Sequence, residues 1–345
     1  MPDSFVDFLD RYGNSNPPEM IYRDGEDPIK WQKRLKSKLK RLMEPVPQRV
    51  KPEVQVVSSE KLVDHTRTLV RVPVNEFSTL TAYLLIPHGV HRNGKRAGIV
   101  VLHGHSTYGI DSICGVVEGT GEDSGRCAYA LHAVKVGYVV IAPAWWGWRG
   151  RDGHRGLIGQ DDKCNRVQTA ASMYGLNVLA LHIQDGQAAL DVLTSLPEVD
   201  ADRVGCLGNS YGGRMTMWLS IFDKRVKTCV VSGAMNTFRE RSLKLSSCGI
   251  QYPYGLLRHA DVPELLSLIA PRPMQLQSGA IDTLITCADR DKIEKTVRNM
   301  YKQLSAEAKL DHVIHPEGHL LVWEKASPFL SKHLNDNAEP ARNPN

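Results

Sequence analysis

The stretch Arg203-Val204-Gly205-Cys206-Leu207-Gly208-Asn209-Ser210-Tyr211-Gly212-Gly213 decides how this chain reads, because an apolar run ends in a serine set between two glycines. Arg203 to Leu207 reads as a buried strand and Tyr211 to Phe222 as the helix that follows it. A serine hydroxyl is a poor nucleophile until a base takes its proton. It also reaches a substrate only when the backbone throws it out of the fold on a tight strand-to-helix turn. Small residues two positions before and after the serine make such a turn sterically possible. The helix then aims its unpaired N-terminal amides at the same spot, where negative charge developing on a substrate oxygen would be stabilised. The Gly-x-Ser-x-Gly spacing alone arises by chance in many chains, so its weight depends on its surroundings.

A base and an acid follow in the chain order that such a serine needs, acid first and histidine second. Asp282 lies in Ser278-Gly279-Ala280-Ile281-Asp282, just past the strand-like run Pro273 to Gln277. His319 lies in Pro316-Glu317-Gly318-His319, just past the strand-like run Asp311 to His315. Both therefore fall on loops beyond the carboxyl ends of predicted strands, where ligands and catalytic groups collect in open α/β sheets. Asp289 and Asp291 open the next predicted helix, about Asp289 to Leu304, and read as favourable charges in a first helical turn. His312 and His315 lie within or at the end of a strand and read as structural. A fourth element is the run Ala97 to Leu102, which ends in His103-Gly104-His105-Ser106. A His-Gly turn after an early strand commonly supplies the second amide of an oxyanion hole, so the backbone N–H groups of His105 and Tyr211 are the expected donors. Metal binding by His103 and His105 would need further ligands, and no partner is evident in the sequence. No metal and no cofactor are expected.

The chain resembles the α/β-hydrolase superfamily, and more narrowly its dienelactone hydrolase and acetyl xylan esterase-like branch. The resemblance runs from about Val54 to Leu334. Beyond the serine turn it rests on Pro197-Glu198-Val199-Asp200-Ala201-Asp202-Arg203-Val204-Gly205, which is similar to the segment leading into the nucleophile strand, and on Ala270-Pro271-Arg272-Pro273, which is similar to the approach to the acid strand. It implies an α/β-hydrolase fold with a mostly parallel central sheet and helices on both faces. It also implies Ser210 as nucleophile, Asp282 as acid and His319 as base. Substrate is not implied, because this branch acts on acetylated sugars, lactones, other esters, peptides and carbon–carbon bonds.

Composition agrees with an enzyme domain of this kind. In 345 residues, 42% hydrophobic content supplies a sizeable core, and one catalytic domain over 53–334 is expected, preceded by an N-terminal helical extension over 1–52. A tail over 335–345 is expected to be disordered. The net charge of +5 is small for this length, and the excess sits in Lys30 to Arg41. There Trp31, Leu35, Leu39 and Leu42 recur at helical spacing opposite lysines and arginines, which reads as an amphipathic helix packed on the domain rather than a nucleic-acid surface. Seven scattered cysteines and an N-terminus without a leader pattern point to a cytoplasmic protein. No apolar run is long enough to span a membrane.

Strands are expected near Val54–Val57, Thr66–Val72, Leu80–Ile86 and Ile99–Leu102, and then alternate with helices around Arg126–Lys135 and Leu176–Leu193, with a strand at Tyr138–Ala142 between them. That alternation predicts a parallel sheet. Two insertions, near 144–175 and 237–262, are placed to shape a pocket. The first carries Trp145, Trp146, Trp148, Arg149 and Arg151, which either hold flat or anionic substrate groups or cover a neighbouring helix, with Arg151 paired to Asp152. The second carries Tyr252 and Tyr254, with the same two readings. The expected reaction is hydrolysis of a small ester by acyl transfer to Ser210. A carbon–carbon hydrolase, peptidase, thioesterase or acyltransferase using the same three groups stays open, as does a homo-oligomeric state. A purely ligand-binding protein of this fold would usually show a broken set, and here all three groups are present.

Overall fold

The structure is a computed structural model that describes residues 4–90, 94–120, 124–148, 151 and 163–334. Nine strands form one sheet: β1 (Gln55–Lys61), β2 (His65–Asn75), β3 (Ser78–Pro87), β4 (Arg96–Leu102), β5 (Val139–Pro143), β6 (Val199–Asn209), β7 (Thr228–Ser232), β8 (Met274–Gly279) and β9 (Leu310–His315). Their spatial order is β1-β2-β3-β5-β4-β6-β7-β8-β9. The pairings from β5 through β9 are parallel, while β1, β2 and β3 pair antiparallel with their neighbours. Every predicted strand is present, and the fold is the mostly parallel α/β-hydrolase arrangement.

The central strands read as continuous apolar runs because both faces of the sheet are covered. Val100 and Leu102 of β4 and Val139 and Ile141 of β5 point into one core, and Ile99, Val101, Val140 and Ala142 into the other. The first core is closed by α2 (Pro28–Leu42), α6 (Val178–Ser195), α7 (Tyr211–Phe222), α9 (Val262–Ser267) and α10 (Cys287–Gln303). The second is closed by α3 (Ile110–Ile113), α4 (Tyr129–Lys135) and α11 (Trp323–Leu334). Helix α2 starts where Asp27 accepts from the Lys30 amide at 3.0 Å and Pro28 occupies the first turn. It buries Trp31, Leu35 and Leu39 completely, and Trp31 Nε1 donates to Met20 O at 2.9 Å. Gln32 Nε2 donates to both Ser267 O and Ala270 O at 2.9 Å, fastening the basic helix to the segment that leads into β8.

Several elements were not foreseen. Helix α1 (Phe5–Ser15), held at its start by a capping box between Ser4 and Asp7, buries no residue, although Phe5, Phe8, Leu9 and Tyr12 recur on it at helical spacing. Helix α11 contains Pro328, which argues against a helix, yet it buries Ala326, Phe329, Leu330 and Leu334 on one side. Short helices α5 (Lys163–Ser172) and α8 (Phe238–Leu243) stand in the two insertions. Among the described residues no helix is long and apolar enough to cross a membrane.

Strand order positions the site. From β4 the chain moves to β5 on one side and then returns to β6 on the other, and such a reversal opens a crevice beyond the carboxyl ends of the strands. Leu102 is in register with Gly208, which brings the His103-Gly104-His105 turn beside the serine turn. On the far side Gly279 is in register with His315, so the loops after β8 and β9 leave the sheet together.

Candidate active site

Ser210 sits between β6 and α7 with φ 60° and ψ −123°, a left-handed conformation that a residue with a Cβ rarely adopts. Strain of this kind costs about 1–3 kcal/mol and persists only where the surroundings impose it. Here they do. The Ser210 amide donates to Ser232 O at 3.0 Å, and the Arg214 amide begins the helix by donating to Ser210 O at 3.0 Å. The glycines are required by contact. A Cβ at Gly208 would lie 2.5 Å from Leu102 O, one at Gly212 2.0 Å from Leu102 O, and one at Gly213 2.1 Å from Ser232 O. The first turn of α7 is thus pressed against β4 and β7 at van der Waals limits.

Asp282 and His319 are brought together. His319 Nδ1 lies 2.6 Å from Asp282 Oδ2, and the carboxylate, 1% exposed, accepts a second bond on Oδ1 from the Leu284 amide at 2.9 Å. Two backbone bonds stitch the loops that carry them: Ala280 N to His315 O at 2.7 Å and Ile281 N to Glu317 O at 3.4 Å. Gly279 lies so close to this second loop that a Cβ there would be 2.2 Å from Gly318 O. The pair stands next to the serine: the ideal Cβ position of Gly233 is 2.9 Å from His319 Cε1 and 3.0 Å from Ser210 N. Asn209 and Ser232 bolt the histidine loop to the serine turn, with Asn209 Nδ2 donating to His319 O at 3.3 Å and Ser232 Oγ shared between Asn209 Oδ1 (2.9 Å) and Leu320 O (3.1 Å).

The rival acids are engaged elsewhere. Asp289 accepts from the Thr237 amide at 2.7 Å and from its hydroxyl, tying α10 to the start of α8, and its own amide donates to the capping hydroxyl of Thr286. Asp291 is exposed and pairs with Arg290 at 3.3 Å. His312 and His315 lie on β9, and burial lowers the pKa of both.

His105 is exposed on the turn after β4, and its ring lies 4.9 Å from that of Tyr211, which is buried at the first position of α7. Two buried histidines, one not singled out from the sequence, hold these residues in place. His182 Nε2 accepts from the Trp146 amide at 3.1 Å, which puts its proton on Nδ1, 2.5 Å from Tyr211 Oη. Burial holds the His182 pKa well below the usual imidazole range, with Arg151 and the other two imidazoles acting in the same direction. His103 does the same job one layer away: its Nε2 accepts from the Trp145 amide at 3.2 Å and its Nδ1 lies 2.8 Å from Gly104 O. A buried histidine in an amphipathic run carries no mark that separates it from ordinary core, so His182 was invisible to pattern reading.

The tryptophan loop splits between roles. Trp145 and Trp148 are buried and pack against His103, Trp145 tilted at 37° and Trp148 edge-on at 65°. Trp146 is half-buried, with the Arg151 guanidinium 3.9 Å from its ring centre. Arg151, for which the sequence offered Asp152, has a partner among the described residues. Its partner is Asp185 on α6, in a buried two-point pair at 2.6 and 3.1 Å, with Ala144 O as a third acceptor at 2.8 Å. A guanidinium taken out of water is well matched by a carboxylate that offers both oxygens. Arg149 and Asp152 lie outside the described residues. In the second insertion Tyr252 is half-buried, edge-on to Phe238 at 5.3 Å, while Tyr254 accepts from Gln168 Nε2 at 2.8 Å. A cavity of about 1010 Å³ lies elsewhere, between α1, α2, α8 and α10, and none of Ser210, Asp282 and His319 lines it.

The profile of the dienelactone hydrolase family matches residues 80–315. The Bacillus subtilis (strain 168) protein "Putative hydrolase YtaP" is 27% identical over 305 residues, which cover 87% of this chain and 98% of that protein. Among solved structures, a putative acetyl xylan esterase from Bacteroides fragilis NCTC 9343 superposes with a TM-score of 0.76 at 18% identity, covering 91% of this chain and 83% of that one. A glucuronoyl esterase from Solibacter usitatus superposes with a TM-score of 0.68 at 16% identity, covering 92% and 97%. The family match spans the sheet from β3 to β9, with the serine turn and the acid loop inside it, and on that match the chain belongs to the dienelactone hydrolase family of α/β-hydrolases.

Proposed function

We propose that this hydrolase cleaves carboxylic esters of small molecules through Ser210, His319 and Asp282. The observation that carries the reading is the strained Ser210 backbone at φ 60°, flanked by the His319 to Asp282 pair at 2.6 Å. Asp282 fixes the His319 proton on Nδ1 and leaves Nε2 to take the proton from the Ser210 hydroxyl. Ser210 Oγ attacks the ester carbonyl, and the oxyanion is received by the amides of His105 and Tyr211 at the helix end. His319 returns the proton to the leaving alcohol. Water, activated by the same imidazole, then releases the acid from the acyl-enzyme. Trp146 and Tyr252, half-buried on the two insertions, line the approach for the acyl or alcohol group, and Arg149 belongs to the same loop. The acetyl xylan and glucuronoyl esters named for the structural neighbours make carbohydrate esters a sensible part of a substrate panel. Seven thiols with no disulfide suit a reducing compartment.

The test is a series of p-nitrophenyl esters of rising chain length, run beside acetylated sugars, thioesters and diketones. Ester turnover is expected. Ser210→Ala should lower kcat on the order of 10⁴-fold or more with the fold intact. A fluorophosphonate should label the parent protein at Ser210 and leave the variant unlabelled. Labelling at another serine, or near-parental turnover by Ser210→Ala, refutes the assignment. Turnover of diketones without esters moves the chemistry to carbon–carbon cleavage.

A further inference from the structure

The two insertions meet the β4 turn in a cluster that the proposed ester chemistry does not use. Cys164 enters from the start of α5, Cys248 from the turn before Gly249–Gln251, and His105 from the loop after β4. One donor atom from each lies within 4.8 Å of the others. Cys248 Sγ is the hub, 3.2 Å from His105 Nε2 and 3.2 Å from Gln251 Nε2. The three segments are pinned independently. Asn165 Oδ1 accepts from the Gly249 amide at 2.8 Å, and a Cβ at Gly249 would lie 2.8 Å from Gln168 Cγ, so α5 and the Cys248 turn are in hard contact. The His105 ring rests against Tyr211 at 4.9 Å and Trp148 at 6.0 Å. Two sulfurs and an imidazole nitrogen are thereby convergent on one point from three distant parts of the chain.

We propose that Cys164, Cys248 and His105 bind a soft divalent cation of the zinc class. Thiolate sulfur and imidazole nitrogen are the donors that such ions select over oxygen. With Zn–S about 2.3 Å and Zn–N about 2.0–2.1 Å, tetrahedral ligands stand roughly 3.4–3.8 Å apart, a spacing the cluster reaches by small side-chain movements. Binding would release the thiol protons, and two thiolates balance the dication. Three protein ligands leave a fourth position open. From sequence no metal was expected because His103 and His105 lacked partners. The fold directs His103 to Trp145 and Gly104, and gives His105 two cysteines that are far away in the chain. A metal here would cross-link both insertions to the turn whose His105 amide is the proposed oxyanion donor.

The experiment uses the full chain, stripped with a chelator and kept reduced with a phosphine. Cobalt(II) is added as the probe and zinc is measured by competition with a chromophoric chelator. The expected result is one cobalt per chain with thiolate-to-cobalt absorption in the near ultraviolet, displaced by one zinc. Cys248→Ser and Cys164→Ser should each weaken zinc binding by more than about tenfold, the lower end of what loss of a mere outer-shell partner costs. The exposed Cys287→Ser should leave it unchanged. Cys164 is buried, so if its variant fails to fold, the half-buried Cys248 carries the test. Absence of stoichiometric binding by the reduced protein, or binding indifferent to Cys248→Ser, overturns the proposal. So does a Cys164 to Cys248 disulfide formed by mild peroxide in a protein that takes up no metal, which would make the cluster a redox pair. Ser210 labelling by a fluorophosphonate is followed in parallel, so the metal site can fail while the hydrolase reading stands.

Discussion

Replacing Asp282 by asparagine tests the proposed mechanism with almost no change of shape. The carboxylate has two obligations, Oδ1 to the Leu284 amide at 2.9 Å and Oδ2 to His319 Nδ1 at 2.6 Å. A backbone amide can only donate, so the asparagine carbonyl oxygen must stay with Leu284, and its –NH₂ is turned toward His319. Nδ1 then has to accept, the imidazole proton moves to Nε2, and the nitrogen facing Ser210 can no longer act as a base. The positive charge that forms on His319 also loses its counter-charge in a site where the acid is buried. The expected loss in kcat is on the order of 10⁴-fold, equivalent to about 5.4 kcal/mol of transition-state stabilisation, with KM little altered. Steady-state turnover of the best ester from the panel, with circular dichroism as a control for folding, measures it. Asp289→Asn supplies the contrast: its carboxylate holds Thr237 at 2.7 Å, so it should lower Tm while sparing kcat. A folded Asp282→Asn enzyme within tenfold of the parent, or a larger kcat loss from Asp289→Asn, would show that the acid has been misplaced.

Gly212→Ala should damage both turnover and stability, because its Cβ would stand 2.0 Å from Leu102 O where ordinary contact begins at 3.4 Å. Forcing α7 back by about 1 Å is expected to cost about 10²-fold in kcat/KM, and overpacking about 1–3 kcal/mol in unfolding free energy; parental values of both would refute the close approach. His182 contributes a pH dependence of stability whose sign is fixed, because burial holds its pKa well below the ordinary 6.5. In acid the unfolded chain takes up a proton there that the folded chain refuses, so stability falls as pH drops through about 6.5 and the effect is absent above it. His182→Gln should shrink the difference in Tm between pH 7 and pH 5, and an unchanged difference would place the acid sensitivity in another group.

The sheet was legible because its strands carry continuous apolar runs bounded by glycine and proline, and burial on both faces leaves such runs little other use. The serine turn was legible for a harder reason. Gly208, Gly212 and Gly213 sit where backbone meets backbone at 2.0–2.5 Å from an added Cβ, so the spacing of small residues is a direct record of geometry. Asp282 and His319 could be picked out by their place beyond strand ends, although only register, Gly279 against His315, explains why their loops touch. What sequence concealed were contacts made at long range between residues of ordinary appearance. Arg151 is paired to Asp185, which lies 34 residues away in the chain. His182 looked like core and aligns Tyr211. Helix α11 was hidden by Pro328, since a local rule against proline is outvoted by four buried side chains on one face.

The stitching between the loops after β8 and β9 also constrains how this scaffold can change. Glu317 and Gly318 carbonyls press on Gly279, and Ala280 and Ile281 are bonded across the seam, so a residue inserted on either side would drive Asp282 and His319 apart. The loop after β7 is tied in only at its start among the described residues, where Asn236 Nδ2 donates to Leu284 O at 2.8 Å and the Thr237 amide to Asp289 at 2.7 Å. Variation is thereby channelled: a library that diversifies residues 239–258 is expected to explore new specificities with the proposed relay of Asp282 and His319 unaltered, whereas one that lengthens 280–284 or 316–319 is expected to yield mostly inactive proteins.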